Sequence, residues 1–171
     1  MRTLADKQLS WPALLAVRAT ARAAGRVVVW SNGTFDLLHP GHLASLQAAR
    51  GLGDLLVVGL NSDASVRGYK GPTRPILTEA ERAAMLAGLE CVDYVVVFDE
   101  PTPEESLRKL RPDVHCKGAE YAPPHGRPVP ERATVLAGGG RMAYLPLVPG
   151  VSTTELLARI RKLGGPVEEG A

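Results

Sequence analysis

Cysteine is scarce in this chain. Its 171 residues hold only Cys91 and Cys116, far apart in sequence and outside any C-x-x-C spacing. A disulfide framework and a structural zinc site are thereby set aside, and two reduced, buried thiols are expected. Long hydrophobic runs are missing too. No stretch of about 18 apolar residues is free of charge, so no membrane span is expected. Met1 to Leu9 carries no apolar signal core, and a cytoplasmic protein is the expectation. Neither sign of charge dominates. Twenty basic residues stand against 18 acidic ones, a formal net charge of +2. That balance argues against nucleic acid or a membrane surface as the main partner. The basic residues that matter must act locally, against phosphates. No internal repeat is visible.

What the chain has is alternation. Five short apolar runs read as strands: Arg26–Ser31, Leu55–Leu60, Tyr94–Phe98, Val114–Lys117 and Met142–Leu147. Three are almost continuously apolar and rich in valine, the pattern of strands buried on both faces of a parallel sheet. Helix-like stretches separate them at Gly41–Gly51, Glu79–Leu89, Pro103–Leu110 and Glu131–Ala137. Another, Pro12–Ala24, precedes the first strand, and Thr153–Leu163 follows the last. Thr78 with Glu81, Thr102 with Glu105 and Ser152 with Glu155 have capping-box spacing, and Pro103 suits a first helical position. The alternation predicts an α/β fold with a doubly wound, five-stranded parallel sheet. Residues 1–25 read as a helical extension, 26–163 as one domain and 164–171 as a frayed tail. Val66–Pro75 and Ala119–Pro130, rich in glycine and proline, read as loops near the strand ends, where such sheets bind ligands.

The chemistry gathers after the first strand, in Gly33-Thr34-Phe35-Asp36 followed by His39-Pro40-Gly41-His42. Pro40 suits a first helical turn, which puts His39 at the helix start and His42 on the same face three residues on. Two imidazoles beside free backbone amides and a positive dipole end form an anion site. Gly41 leaves room for a phosphate to approach. By this chain's composition a chance H-x-G-H arises about once in a hundred such chains. A metal pair is the competing reading, but no further carboxylate ligands stand nearby.

With its flanks, Gly33-Thr34-Phe35-Asp36-Leu37-Leu38-His39-Pro40-Gly41-His42 resembles the signature of the cytidylyltransferase-like nucleotidyltransferases. Further segments resemble the heptose-1-phosphate adenylyltransferase branch. They are Asn61–Arg67 with Lys70–Pro75, Lys117-Gly118-Ala119-Glu120-Tyr121, and Pro149–Thr154. The likeness spans about Val27 to Lys162. It implies a Rossmann-like nucleotidyltransferase fold and transfer of AMP from ATP, with Mg2+, to a sugar 1-phosphate. It also implies His39, His42 and Lys70 as catalytic residues. Gly33, Thr34, Phe35, Gly41, His42, Lys117, Gly118, Ser152, Thr153 and Thr154 would hold the nucleotide. Asp36, Asp63, Arg74, Arg82, Glu120 and Tyr121 would meet the acceptor. No metal ligand from protein side chains is implied.

Plainer readings stand beside these. Ser152 with Glu155 is a good capping box by itself. Lys70 and Arg74 fit a solvated basic loop, Arg82 a surface pair with Glu79, Asp63 a turn or cap, and Lys117 a snorkelling lysine. Asp36 fits a loop-bracing role, and His115 reads as packed rather than catalytic. His125 has nothing local to support a role. The segment also departs from the heptose branch. Thr34 stands where that branch often has cysteine, and Ala119-Glu120 where it favours Gly-Asp. Threonine suits cytidylyltransferases of glycerol phosphate, but Leu147-Val148-Pro149 replaces the arginine-threonine of that branch, which favours ATP over CTP. Any kinase that makes the acceptor is expected on another protein, and a homodimer fits the family habit.

Overall fold

The valine-rich runs become the strands of one sheet in a computed structural model that describes residues 2–163. The expected tail, 164–171, lies outside the described residues. The strands are β1 (Val28–Gly33), β2 (Leu55–Asn61), β3 (Tyr94–Phe98), β4 (Val114–Gly118) and β5 (Arg141–Leu145). Their order is β3-β2-β1-β4-β5, with every neighbouring pair parallel. The expected doubly wound sheet is therefore present, with strand ends within two residues of those read from the sequence. All seven residues of β2 are buried, as continuous apolar runs require. The chain winds outward from β1 to β3, then returns to lay β4 on the other side of β1. The crevice at this reversal, beyond the ends of β1 and β4, is where open α/β sheets bind ligands.

Helices cover both faces. On one, α3 (Pro40–Arg50) and α5 (Glu79–Ala87) bring Leu46, Ala49, Ala83 and Leu86 against Val29, Leu56, Val58 and Leu60. On the other, α2 (Trp11–Ala23), α6 (Glu104–Leu110) and α7 (Arg132–Ala137) bring Leu14, Leu107, Leu110 and Val135 against Val28, Trp30, Val57 and Val96. Trp30 lies across the neighbouring strand so closely that a Cβ on Gly59 would stand 2.1 Å from its ring. Only glycine leaves that space. The last helix, α8 (Thr153–Lys162), follows β5. No described helix is long and apolar enough to cross a membrane.

Three local expectations need correction. Val66–Pro75 is not all loop, because α4 runs over Asp63–Lys70. Ser62 caps it by accepting the Ser65 amide at 3.2 Å, and Gly71 ends it at φ 93°. A mid-helix Gly68 and basic flanks hid its short apolar face. The Thr102–Glu105 capping box does not form. Pro103 takes the cap position with no side-chain bond, and Glu105 pairs with Arg108 and Lys109 instead. At the N-terminus, α1 (Leu4–Lys7) is an added turn. The segment after it straps the β3 edge: the Leu9 amide donates to Val95 O at 2.9 Å and Trp11 Nε1 to Val97 O at 3.1 Å. An edge strand is thus closed to foreign pairing. Buried Arg18 of α2 ties to Arg111 O and Asp113.

Candidate active site

The link from β1 to α3 is tightly bent. Phe35 and Leu37 both sit at positive φ, 49° and 58°, a costly conformation for bulky side chains that survives only where the surroundings enforce it. Two ion pairs, each with one buried partner, enforce it here. Arg82, 1% exposed, donates to Thr34 O at 2.6 Å and Asn61 O at 2.9 Å, and pairs with Asp63 at 2.7 Å. Asp36, 2% exposed, pairs with Arg74 at 2.7 Å and accepts the Ile76 and Leu77 amides. Burial opposes ionisation of Asp36. The two amides and the Arg74 guanidinium outweigh it and hold the carboxyl below the usual range.

This frame delivers His39 and His42 into the crevice. His39 is the cap of α3, Pro40 its first residue, and the His39 Nδ1 accepts the His42 amide at 3.3 Å. An accepting Nδ1 leaves the proton of neutral His39 on Nε2. The two rings stack at 3.8 Å, 18° apart, and His42 also packs on Phe35 at 5.2 Å. A Cβ on Gly41 would stand 3.1 Å from the His39 ring, so this glycine makes room for the imidazole itself. Burial lowers the pKa of both histidines, and His39 and Lys70 add to the effect on His42, which falls to about 4. Near neutral pH the pair is therefore uncharged and offers N–H donors to an anion. The His42 Nδ1 is buried with no partner among the described residues.

A cavity of about 530 Å³ opens in front of the pair. Lys70 and Asp36 line one side, Lys117, Gly118, Glu120 and Tyr121 another, and Ser152 and Thr153 a third. Ser152 caps α8 by accepting the Glu155 amide at 3.1 Å. Thr153 Oγ1 donates to Asp36 O at 3.1 Å, tying α8 to the histidine loop. Partial burial and nearby Arg74 lower the pKa of Lys70. The crevice thus joins two helix N-termini, two lysines and two imidazoles, the donor set that phosphate oxygens require. Cys116 also lines it, but burial pushes its thiol up to about 12, which removes it as a nucleophile near neutral pH.

Most residues implied by the resemblance converge here. Gly33, Thr34, Phe35, Asp36, His39, Gly41, His42, Lys70, Lys117, Gly118, Glu120, Tyr121, Ser152 and Thr153 all line the cavity. Four do not. Arg82 and Asp63 are spent on each other beneath the β1 loop, Arg74 is clamped to Asp36, and Thr154 is exposed beside the cavity. Arg82 lies outside the cavity lining and pairs with Asp63 rather than with Glu79. Asp36 braces the amides of residues 76 and 77 rather than its own loop. His115 is packed, as expected, at 0% exposure. His125 lies on the exposed turn. Ser31 and Asn32 also line the cavity and were not anticipated. Neither was Glu131, which looked only like a helix start and proves to be a buried partner of Lys117 and His115.

A parallel sheet with this donor cluster at its switch point presents the groups that phosphate oxygens require. The family model described as cytidylyltransferase-like matches residues 30–159. The chain belongs to the cytidylyltransferase-like family. It is 55% identical over 139 residues to the bifunctional protein HldE of Syntrophotalea carbinolica, which is 81% of this chain and 28% of that protein. It is 48% identical over 156 residues to the bifunctional protein HldE of Pelobacter propionicus, 91% of this chain and 31% of that one. The chain thus matches less than a third of the length of these relatives. The crystal structure of the lipopolysaccharide core biosynthesis protein from Thermoplasma volcanium GSS1 superposes with a TM-score of 0.58 at 26% identity, covering 72% of this chain and 98% of that one.

Proposed function

We propose that the chain transfers AMP from ATP to a sugar 1-phosphate, D-glycero-β-D-manno-heptose 1-phosphate, releasing pyrophosphate and ADP-heptose. The observation that carries this reading is the stacked His39–His42 pair facing the α8 N-terminus across one cavity, with Lys70 and Lys117 at its sides. An acceptor phosphate oxygen attacks the α-phosphorus in line, the bond to the bridging oxygen of pyrophosphate breaks, and that oxygen leaves with the electron pair. The acceptor is already an anion, so no protein nucleophile is needed. The chain's task is positioning and charge stabilisation. His39 and His42 donate to oxygens at the reacting phosphorus. Lys70 and the α8 amides take the departing pyrophosphate, and Lys117 the nucleotide.

Mg2+ bound to the triphosphate supplies further charge neutralisation. Asp36 is committed to Arg74 and two amides, which leaves Glu120 as the cavity carboxylate free to approach such an ion. A kinase reaction must supply the acceptor.

The test is a matrix of ATP and CTP against heptose 1-phosphate and glycerol 3-phosphate, read by pyrophosphate release. ATP with the heptose phosphate should dominate. Thr34 in place of cysteine gives the second reading, CTP with an alcohol phosphate, and turnover in that cell would replace the first. No turnover in any cell would end both.

A further inference from the structure

Behind the β4 wall Lys117 meets two buried polar groups, Glu131 and His115, to which the transfer step gives no role. Glu131 comes from the start of α7 and is 2% exposed. Its Oε1 lies 2.5 Å from Lys117 Nζ and 3.4 Å from His115 Nε2. Burial opposes its ionisation, but His115 and Lys117 hold the carboxyl down at about 2. His115 is fully buried, and burial lowers its pKa. The negative charge of Glu131 therefore answers Lys117. On its other side the Lys117 ammonium stands 5.3 Å over the Tyr121 ring. A lysine on a free four-carbon stem would surrender much rotamer freedom on meeting a phosphate. This one is gripped from two sides while 18% of its side chain stays exposed at the cavity.

We infer that Glu131 is a positioning residue for nucleotidyl transfer, acting through Lys117 by fixing its ammonium at the cavity wall. This rests on the reading of the cavity as the transfer site. The sign of the effect is informative. Simple electrostatics says that removing a carboxylate near an anion site should strengthen anion binding. Positioning says that it should weaken transfer, because the lysine swings free.

Two measurements test this on the whole chain. The first needs no turnover: acetylation of Lys117 by acetic anhydride, followed by mass spectrometry. Glu131→Gln should raise its rate several-fold while Lys109, exposed on α6, reacts unchanged. The second is a kinetic cycle with ATP and the acceptor that wins the matrix. Glu131→Gln should cut kcat/KM about tenfold, mostly through kcat. In a Lys117→Ala background it should cut almost nothing further, and Glu131→Asp should restore part of the loss. Unchanged Lys117 reactivity, a raised kcat/KM, or additive losses in the double variant would each overturn the inference. If Glu131→Ala fails to fold, the near-isosteric glutamine variant still decides. If the native chain has no turnover, the function reading fails while Lys117 reactivity still decides the positioning.

Discussion

Two helix N-termini face the cavity, and they are built on opposite principles. The α3 end is rooted. Leu46 and Ala49 reach 1% and 0% exposure in the core, the capping side chain is itself His39, and two half-buried ion pairs brace the loop before it. The α8 end is lightly held. None of its residues from Thr153 to Lys162 is buried, and among the described residues its side-chain hydrogen bonds are those of its own Ser152 cap and the Thr153 bond to Asp36 O. The difference suits a division of labour. Under the proposed function, groups at the reacting phosphorus gain most from preorganisation, whereas the end proposed to take the pyrophosphate must let it go. Elements that move are drawn from the weakly anchored part of a fold.

The sharpest way to break this comparison is to remove the rooted chemistry. His42→Ala should lower kcat by about 10²–10³, as deletion of one preorganised donor does elsewhere, and His39→Ala should fall in the same range. A loss under threefold for both would move the reaction centre away from α3. Next comes the anchoring itself. Leu46→Ala should cost about 2–5 kcal/mol of stability, read by denaturant unfolding. The matching truncation on α8, Leu157→Ala at a half-buried position, should cost under about 1 kcal/mol. Equal costs would mean that α8 is as firmly packed as α3.

The same contrast marks what the sequence disclosed. The rooted half was legible because its signals are local. Valine runs name β1 and β2, and Pro40 between two histidines names a helix start with its chemistry attached. The bracing was not legible. Asp36 meets Arg74, and Lys117 meets Glu131, across different elements, and no periodicity or cap spacing links such partners. Arg82 stands at a family position, yet its partners Thr34 O, Asn61 O and Asp63 become its neighbours only when α5 packs beside the ends of β1 and β2. Short α4 was lost because glycine and flanking charge mask a single apolar stripe.

A smaller effect sharpens the α8 side. Thr153→Val keeps the shape of the side chain but deletes its hydroxyl bond to Asp36 O, a loss of about 1 kcal/mol. The expected outcome is a several-fold fall in kcat/KM with little change in melting temperature, because the bond docks α8 on the histidine loop without supporting the core. A large stability loss with unchanged kinetics would make Thr153 a packing residue instead.

The last expected effect is in pH dependence. Folding depresses the pKa of His42 to about 4 through burial and its neighbours His39 and Lys70, from an unfolded value near ~6.5. Below ~6.5 the unfolded chain takes up a proton that the folded chain refuses until about 4, so stability falls as pH drops through that window. His115 and His39 shift in the same direction and remain in a His42→Gln chain, so a difference between the two chains reports His42. Between pH 7 and pH 5 the native chain should lose a few degrees more of melting temperature than His42→Gln. Inorganic triphosphate should shrink that gap, because a bound anion favours the charged imidazole and draws its pKa back up. Equal losses in both chains would mean that His42 titrates freely, and the rooted end would then hold its histidine in place without holding it neutral.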